Sequence, residues 1–123
     1  MVFAVNHFGP FLLTNLLLDR LKTSTPSRIV NVSSCMSQVV KPGEMHFATK
    51  DDQGRVYPGL REYAGSKLAN RLFTKELARQ LEGSGITAYS LHPGAITTNI
   101  LRTSMEAGGW SKLTYWLISV MFS

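Results

Sequence analysis

Cysteine is nearly absent. Cys35 stands alone among 123 residues, which excludes an intrachain disulfide and fits a reducing compartment. His7, His46 and His92 are the three histidines and lie far apart; without metal-ligand spacing, no metal is expected. Thirteen Lys and Arg against eight Asp and Glu leave a net charge of +5. The basic residues are scattered, with no run that would track a nucleic-acid backbone, so no nucleic-acid partner is expected. Apolar runs of membrane length are missing as well. Phe8–Leu18 contains Pro10 and Asn15 and ends in Asp19-Arg20, without a basic leader or a small-residue cleavage site, which is not the pattern of a signal peptide. Leu113–Phe122 is ten residues, about half of a bilayer span.

What is present suits one modest α/β domain. Residues 1 to about 21 carry Phe8, Phe11, Leu12, Leu16, Leu17 and Leu21 almost all round a helix, the pattern of a helix buried on most sides. Met1-Val2-Phe3-Ala4 offers no capping residue, as if the chain were cut into a helix. After the turn cluster Thr23–Ser27, the β-branched run Arg28–Ser34 reads as a buried strand. Cys35–Leu60 is a polar excursion with Pro42-Gly43 and Pro58-Gly59, and loops of that length are usually functional. A helix follows over about 61–81, with Ala64, Leu68, Leu72, Phe73, Leu77 and Leu81 as its packing stripe and Gly83-Ser84-Gly85 as its stop. Ile86–Leu91 is a second strand and His92-Pro93-Gly94 a turn.

Strand, excursion with helix, strand predicts a parallel crossover. Ligands of such open sheets bind beyond the carboxyl ends of the strands, where Ser33-Ser34 and His92-Pro93-Gly94 fall. Tyr63 and Lys67 lie one helical turn apart on one face of the intervening helix. An ammonium beside a phenol favours phenolate, which makes a tyrosine a usable acid or base near neutral pH.

Four blocks in order, Asn6-His7-x-Gly9-x-Phe11-Leu12-Leu13-Thr14, Arg28–Ser34, Tyr63-x-x-Ser66-Lys67-Leu68-Ala69-Asn70 and His92-Pro93-Gly94, resemble the short-chain dehydrogenases/reductases. Within that family the wording is most similar to the retinol dehydrogenase branch. The resemblance implies the second half of a Rossmann-type, doubly wound parallel sheet, with residues 1–123 an incomplete domain and 101–123 the start of a substrate-loop or lid region. It also implies a catalytic tetrad. Tyr63 would exchange a proton with the substrate oxygen, Lys67 would lower its pKa and bind the nicotinamide ribose, and Ser34 would polarise the substrate oxygen. The backbone carbonyl of Asn6 would hold a relay water. Pro10 lacks the N–H that would otherwise bond that carbonyl. Pro93, Gly94, Ile96 and Thr98 would line the nicotinamide end together with Tyr63 and Lys67. His92, Asn31 and Asn70 read as structural, Asn70 tethering backbone; Cys35 reads as a small buried side chain and Tyr89 as packing.

The family's glycine-rich pyrophosphate turn has no counterpart here; Gly83-Ser84-Gly85 only ends a helix. NADP(H) is the expected cofactor by branch analogy, with NAD as the alternative. The expected activity is hydride transfer with an apolar alcohol, aldehyde or ketone such as a retinoid or lipid aldehyde. Placement in the cytoplasm or on the surface of the endoplasmic reticulum membrane goes with it, as does a homodimer. The alternative is an inactive fragment acting only through protein association. Trp110–Phe122, apolar on nearly every side, reads either as a core helix or as a lid with peripheral membrane contact.

Overall fold

A computed structural model of the chain describes residues 1–45, 47 and 59–94. They belong to a unit spanning Met1–His92, except Pro93 and Gly94, which open a second unit. The first unit begins with a π-helical turn, Ala4–Phe8, that runs directly into helix α1, Gly9–Thr23. Strand β1, Ser27–Val32, follows. Two short 3-10 turns, Cys35–Gln38 and Pro42–Glu44, occupy the start of the excursion. Helix α2 is Gly59–Gln80 and strand β2 is Ile86–Leu91.

β1 and β2 pair in parallel, with Ser27 opposite Ile86 and Val32 opposite Leu91. This α/β unit, a parallel pair joined through a helix, is the arrangement read from the sequence. Side chains alternate across a strand, so Ile29 turns toward α2 while Val30 and Val32 stay exposed on the other face. Ile29 and Ile86 close with Leu77 and Leu81 into one apolar core, against which Leu18, Leu21 and Phe73 pack. A second core sets Val40 against Ala64 and Leu68, with Met36 and Met45 at its margin. The helix-ending turn works through Gly83 at φ +75° and Gly85 at φ +79°. Only glycine holds such angles without strain, and a Cβ on Gly85 would lie 3.1 Å from the Thr25 side chain.

Three expectations change. α1 has no buried residue, although its sequence is apolar nearly all round. Its Leu18–Leu21 side finds cover, while Leu12, Leu13, Leu16 and Leu17 face outward. α1 has one described helix beside it, and one neighbour covers one stripe of a cylinder. Leu72 likewise drops out of the buried stripe of α2, and Tyr89 is exposed rather than packed, with the Arg28 guanidinium 5.9 Å from its ring centre.

Candidate functional site

α2 carries a row of buried polar chemistry that its apolar stripe concealed. Ser66, Asn70 and Thr74 recur every four residues and so share one face; Ser66 is 0% exposed and Asn70 5%. Buried polar groups require partners, and these three find theirs on β1 and on the π-helical turn. Asn31 Nδ2 donates to Thr74 Oγ1 at 2.9 Å, and that hydroxyl donates to the Asn70 carbonyl at 2.7 Å. Asn6 Nδ2 donates to Ser66 Oγ at 3.1 Å, which in turn donates to the Tyr63 carbonyl at 2.7 Å.

The π-helical turn is where Asn6 acquires its special backbone. Its closing bond runs from the Gly9 N–H to the Ala4 carbonyl, five residues back instead of the α-helical four. Pro10, in the first turn of α1, has no N–H for the carbonyl of residue 6. That carbonyl therefore receives no α-helical bond from residue 10. It does not point into open solvent, however, because Asn70 Nδ2 donates to it at 2.9 Å. Asn6 is thus held to α2 by side chain and by backbone.

The two serines after β1 divide their work. Ser33 is buried, and its hydroxyl donates to the Lys67 carbonyl at 2.7 Å, fastening the end of β1 to α2. Ser34 is half-buried in extended conformation, and its Oγ accepts the Met36 N–H at 3.2 Å as the cap of the first 3-10 turn. Cys35 Sγ lies 3.9 Å from that Oγ. Through its bond to the Lys67 carbonyl, Ser33 is committed to the helix.

Tyr63 and Lys67 sit one turn apart on α2, and Lys67 Nζ is 5.6 Å from the centre of the Tyr63 ring. The ammonium also donates to the Val32 carbonyl at 3.1 Å. Partial burial penalises its charged form and lowers its pKa from the ordinary lysine value. Gly65, between the pair, has no side chain, and a Cβ there would meet the Phe3 ring at 3.3 Å. Phe3 is 1% exposed and is flanked by Phe8 and Phe47.

The π-helical turn thus sets Asn6 against the stretch of α2 that carries Tyr63 and Lys67, and the strand end carrying Ser34 is fastened to the same helix through Ser33. Gly94 holds φ +90° in the turn after β2, and Pro93 stands beside it. Ile96, Thr98 and Trp110–Phe122 lie outside the described residues. Sequence reading missed Phe3, His7 and the structural use of Ser66 and Thr74. The four-residue spacing of Ser66, Asn70 and Thr74 was the available signal.

The family model described as short chain dehydrogenase matches residues 53–108. Over 119 residues the chain is 48% identical to retinol dehydrogenase 11 of Homo sapiens, covering 97% of this chain and 35% of that protein. Identity to retinol dehydrogenase 13 of Homo sapiens is 48% over 123 residues, 96% of this chain and 36% of that one. Against retinol dehydrogenase 14 of Mus musculus it is 53% over 102 residues, 83% and 29% respectively. The chain therefore spans about a third of the length of the curated relatives it matches.

Proposed function

Because this chain belongs to the short-chain dehydrogenase/reductase family and is retinol dehydrogenase-like, we propose that the polypeptide carrying it is an oxidoreductase. Its reaction is reversible hydride transfer between NADP(H) and an apolar alcohol or aldehyde of the retinoid or lipid-aldehyde kind. The observation that carries this reading is the Tyr63–Lys67 pair, an ammonium 5.6 Å from a phenol ring on adjacent turns of one helix.

The nicotinamide cofactor, when bound, accepts or supplies the hydride. Everything else falls to side chains of this chain. Tyr63 gives or takes the proton at the substrate oxygen, and the Lys67 charge favours its phenolate form. Ser34 donates its hydroxyl to the same oxygen, where charge develops. Asn6, with Pro10 beside it, offers a backbone carbonyl outside the helical ladder for a proton-relaying water. That carbonyl has two lone pairs, and Asn70 engages it through one donor.

The fit to the nicotinamide end rests on Lys67. An ammonium has three donors, and one of them meets Val32, which leaves two for ribose hydroxyls. Pro93, Gly94, Ile96 and Thr98 complete that end by family resemblance, Ile96 through its backbone and Thr98 through its hydroxyl. The preference for NADP over NAD rests on the branch alone. Peripheral contact with the endoplasmic reticulum membrane through Trp110–Phe122, and a homodimer, belong to the same reading. Among the described residues, no helix is long and apolar enough to cross a membrane.

A second reading, association without catalysis, is favoured by one observation. Leu12, Leu13 and Leu16 on α1, and Val30 and Val32 on β1, are exposed apolar surface, and such patches mark interaction sites when contiguous.

The deciding assay follows nicotinamide absorbance with retinaldehyde as substrate. It uses a polypeptide that carries this chain together with a glycine-rich dinucleotide-binding unit. Tyr63→Phe should cut turnover by at least about 100-fold, the scale of a lost general acid, while NADPH binding persists. Turnover retained in that variant would sink the assignment of Tyr63. Absence of turnover in the unmutated polypeptide would favour association instead.

A further inference from the structure

Asn70 stands at a junction that the tetrad does not explain. Its amide nitrogen donates to two backbone carbonyls, Asn6 at 2.9 Å and Val32 at 3.4 Å. Its amide oxygen lies 2.9 Å from His7 Nδ1. One of those carbonyls, Val32, is the acceptor that holds the Lys67 ammonium at 3.1 Å.

The Val32 carbonyl is available for this because of strand register. Ser27 N–H bonds the Gly85 carbonyl and Ser33 N–H bonds the Leu91 carbonyl. In a parallel strand the N–H and C=O of one residue point to the same neighbour and alternate along the chain. Odd-numbered residues of β1 therefore serve β2, and the carbonyl of Val32 faces away from the ladder. Two donors from α2 meet it there, one from Lys67 and one from Asn70.

The direction of the Asn70 amide decides whether this works. With nitrogen toward Asn6 and Val32, every contact pairs a donor with an acceptor. With oxygen there, the carboxamide would set an acceptor against two carbonyls and lose both bonds. His7 provides the selection. A neutral imidazole carries its proton on one nitrogen; with that proton on Nδ1, the ring donates to Asn70 Oδ1 and fixes the amide nitrogen toward the carbonyls. The ring itself stands among Phe8, Phe11 and Phe73, with centroids 5.5, 5.9 and 6.2 Å away.

We propose that Asn70 is a positioning residue for Lys67, oriented by the Nδ1-protonated tautomer of His7. Through Asn70 the π-helical turn, the end of β1 and the active lysine share one hydrogen-bonded clamp. The proposal deepens the oxidoreductase reading of Lys67 and rests on it, yet its test needs no turnover. A protein that meets the following criteria but lacks activity fails only the earlier reading.

The test uses the isotope-labelled 123-residue chain in solution NMR. Long-range proton–nitrogen correlations of the His7 ring, at a pH where the ring is neutral, should give the Nδ1–H pattern. An Nε2–H pattern overturns the proposal, and this measurement needs no variant. In the second arm, water exchange of the Lys67 ammonium protons is compared in Asn70→Leu and Asn31→Leu. Asn31→Leu breaks the Thr74 bond in the same cluster without touching either carbonyl, so it reports general loosening. Exchange should speed at least about tenfold in Asn70→Leu, because the Val32 carbonyl loses its second tie to α2 and no longer stays in place for the ammonium, and stay unchanged in Asn31→Leu. Equal effects in both, or none in Asn70→Leu, would reduce Asn70 to ordinary packing and overturn the proposal. If Asn70→Leu does not fold, the His7 tautomer decides.

Discussion

Lys67 on α2 and Val32 at the end of β1, 35 residues apart in the chain, are joined by a 3.1 Å bond from ammonium to carbonyl. The bond places a charge that is part-buried, at a strand end, beside a phenol. Its burial has a measurable consequence.

Burial lowers the pKa of Lys67 from 10.5. In the window between its folded pKa and the unfolded lysine value of about 10.4, the unfolded chain binds more protons than the folded one. Stability from this group therefore rises with pH through that window and is lost as pH falls through the folded value. Urea unfolding should show the native chain gaining stability relative to Lys67→Met as pH rises toward the unfolded lysine value of about 10.4. A difference that stays flat over that range would remove burial as the cause.

Pro10 keeps the Asn6 carbonyl out of the α-helical ladder. In Pro10→Ala an N–H becomes available four residues after Asn6, and an α-helical bond can compete with Asn70 for that carbonyl. Hydrogen exchange should then show a newly protected amide at position 10, with faster exchange of the Asn70 side-chain amide protons. An unprotected amide at 10 would mean that the π-helical turn is held by its other contacts, the Gly9 to Ala4 bond among them.

Leu77 and Leu16 are both helical leucines with opposite surroundings. Leu77 is 5% exposed, against Ile29, Leu81 and Ile86, while Leu16 is 71% exposed. Denaturant titration should show Leu77→Ala losing about 2–5 kcal/mol, the cost of a cavity plus lost burial. Leu16→Ala should stay within about 0.5 kcal/mol, as surface substitutions do. A large loss at Leu16 would reveal that the outer face of α1 is covered in solution, by a second copy or another part of the polypeptide.

Much of this architecture was legible without coordinates, because it depends on short-range pattern. The β-branched run at Ile29–Val32 and the alternation of Ile86–Leu91 specify strands. Gly83 and Gly85 specify where the chain leaves α2, since only glycine takes a positive φ there cheaply. Tyr63 and Lys67 share a face by helical arithmetic, and Pro10 by its chemistry denies the carbonyl of Asn6 an α-helical bond. The four ordered blocks from Asn6 to Gly94 carried the family resemblance, and the match to short chain dehydrogenases agrees with it.

Tertiary structure decided what periodicity cannot express. The apolar stripe of α1 could not say which side finds cover, because burial depends on neighbours and not on the helix itself. The outcome puts Leu18 and Leu21 against the core and leaves Leu12, Leu13 and Leu16 outside. Family resemblance picked Ser34 as the candidate, but only the packed structure shows what its neighbour does, the Ser33 hydroxyl reaching the Lys67 carbonyl at 2.7 Å. The partner of the Asn6 carbonyl was equally invisible. It comes from Asn70, 64 residues away, and a hydrogen bond across that separation exists only after β1, the π-helical turn and α2 have packed together.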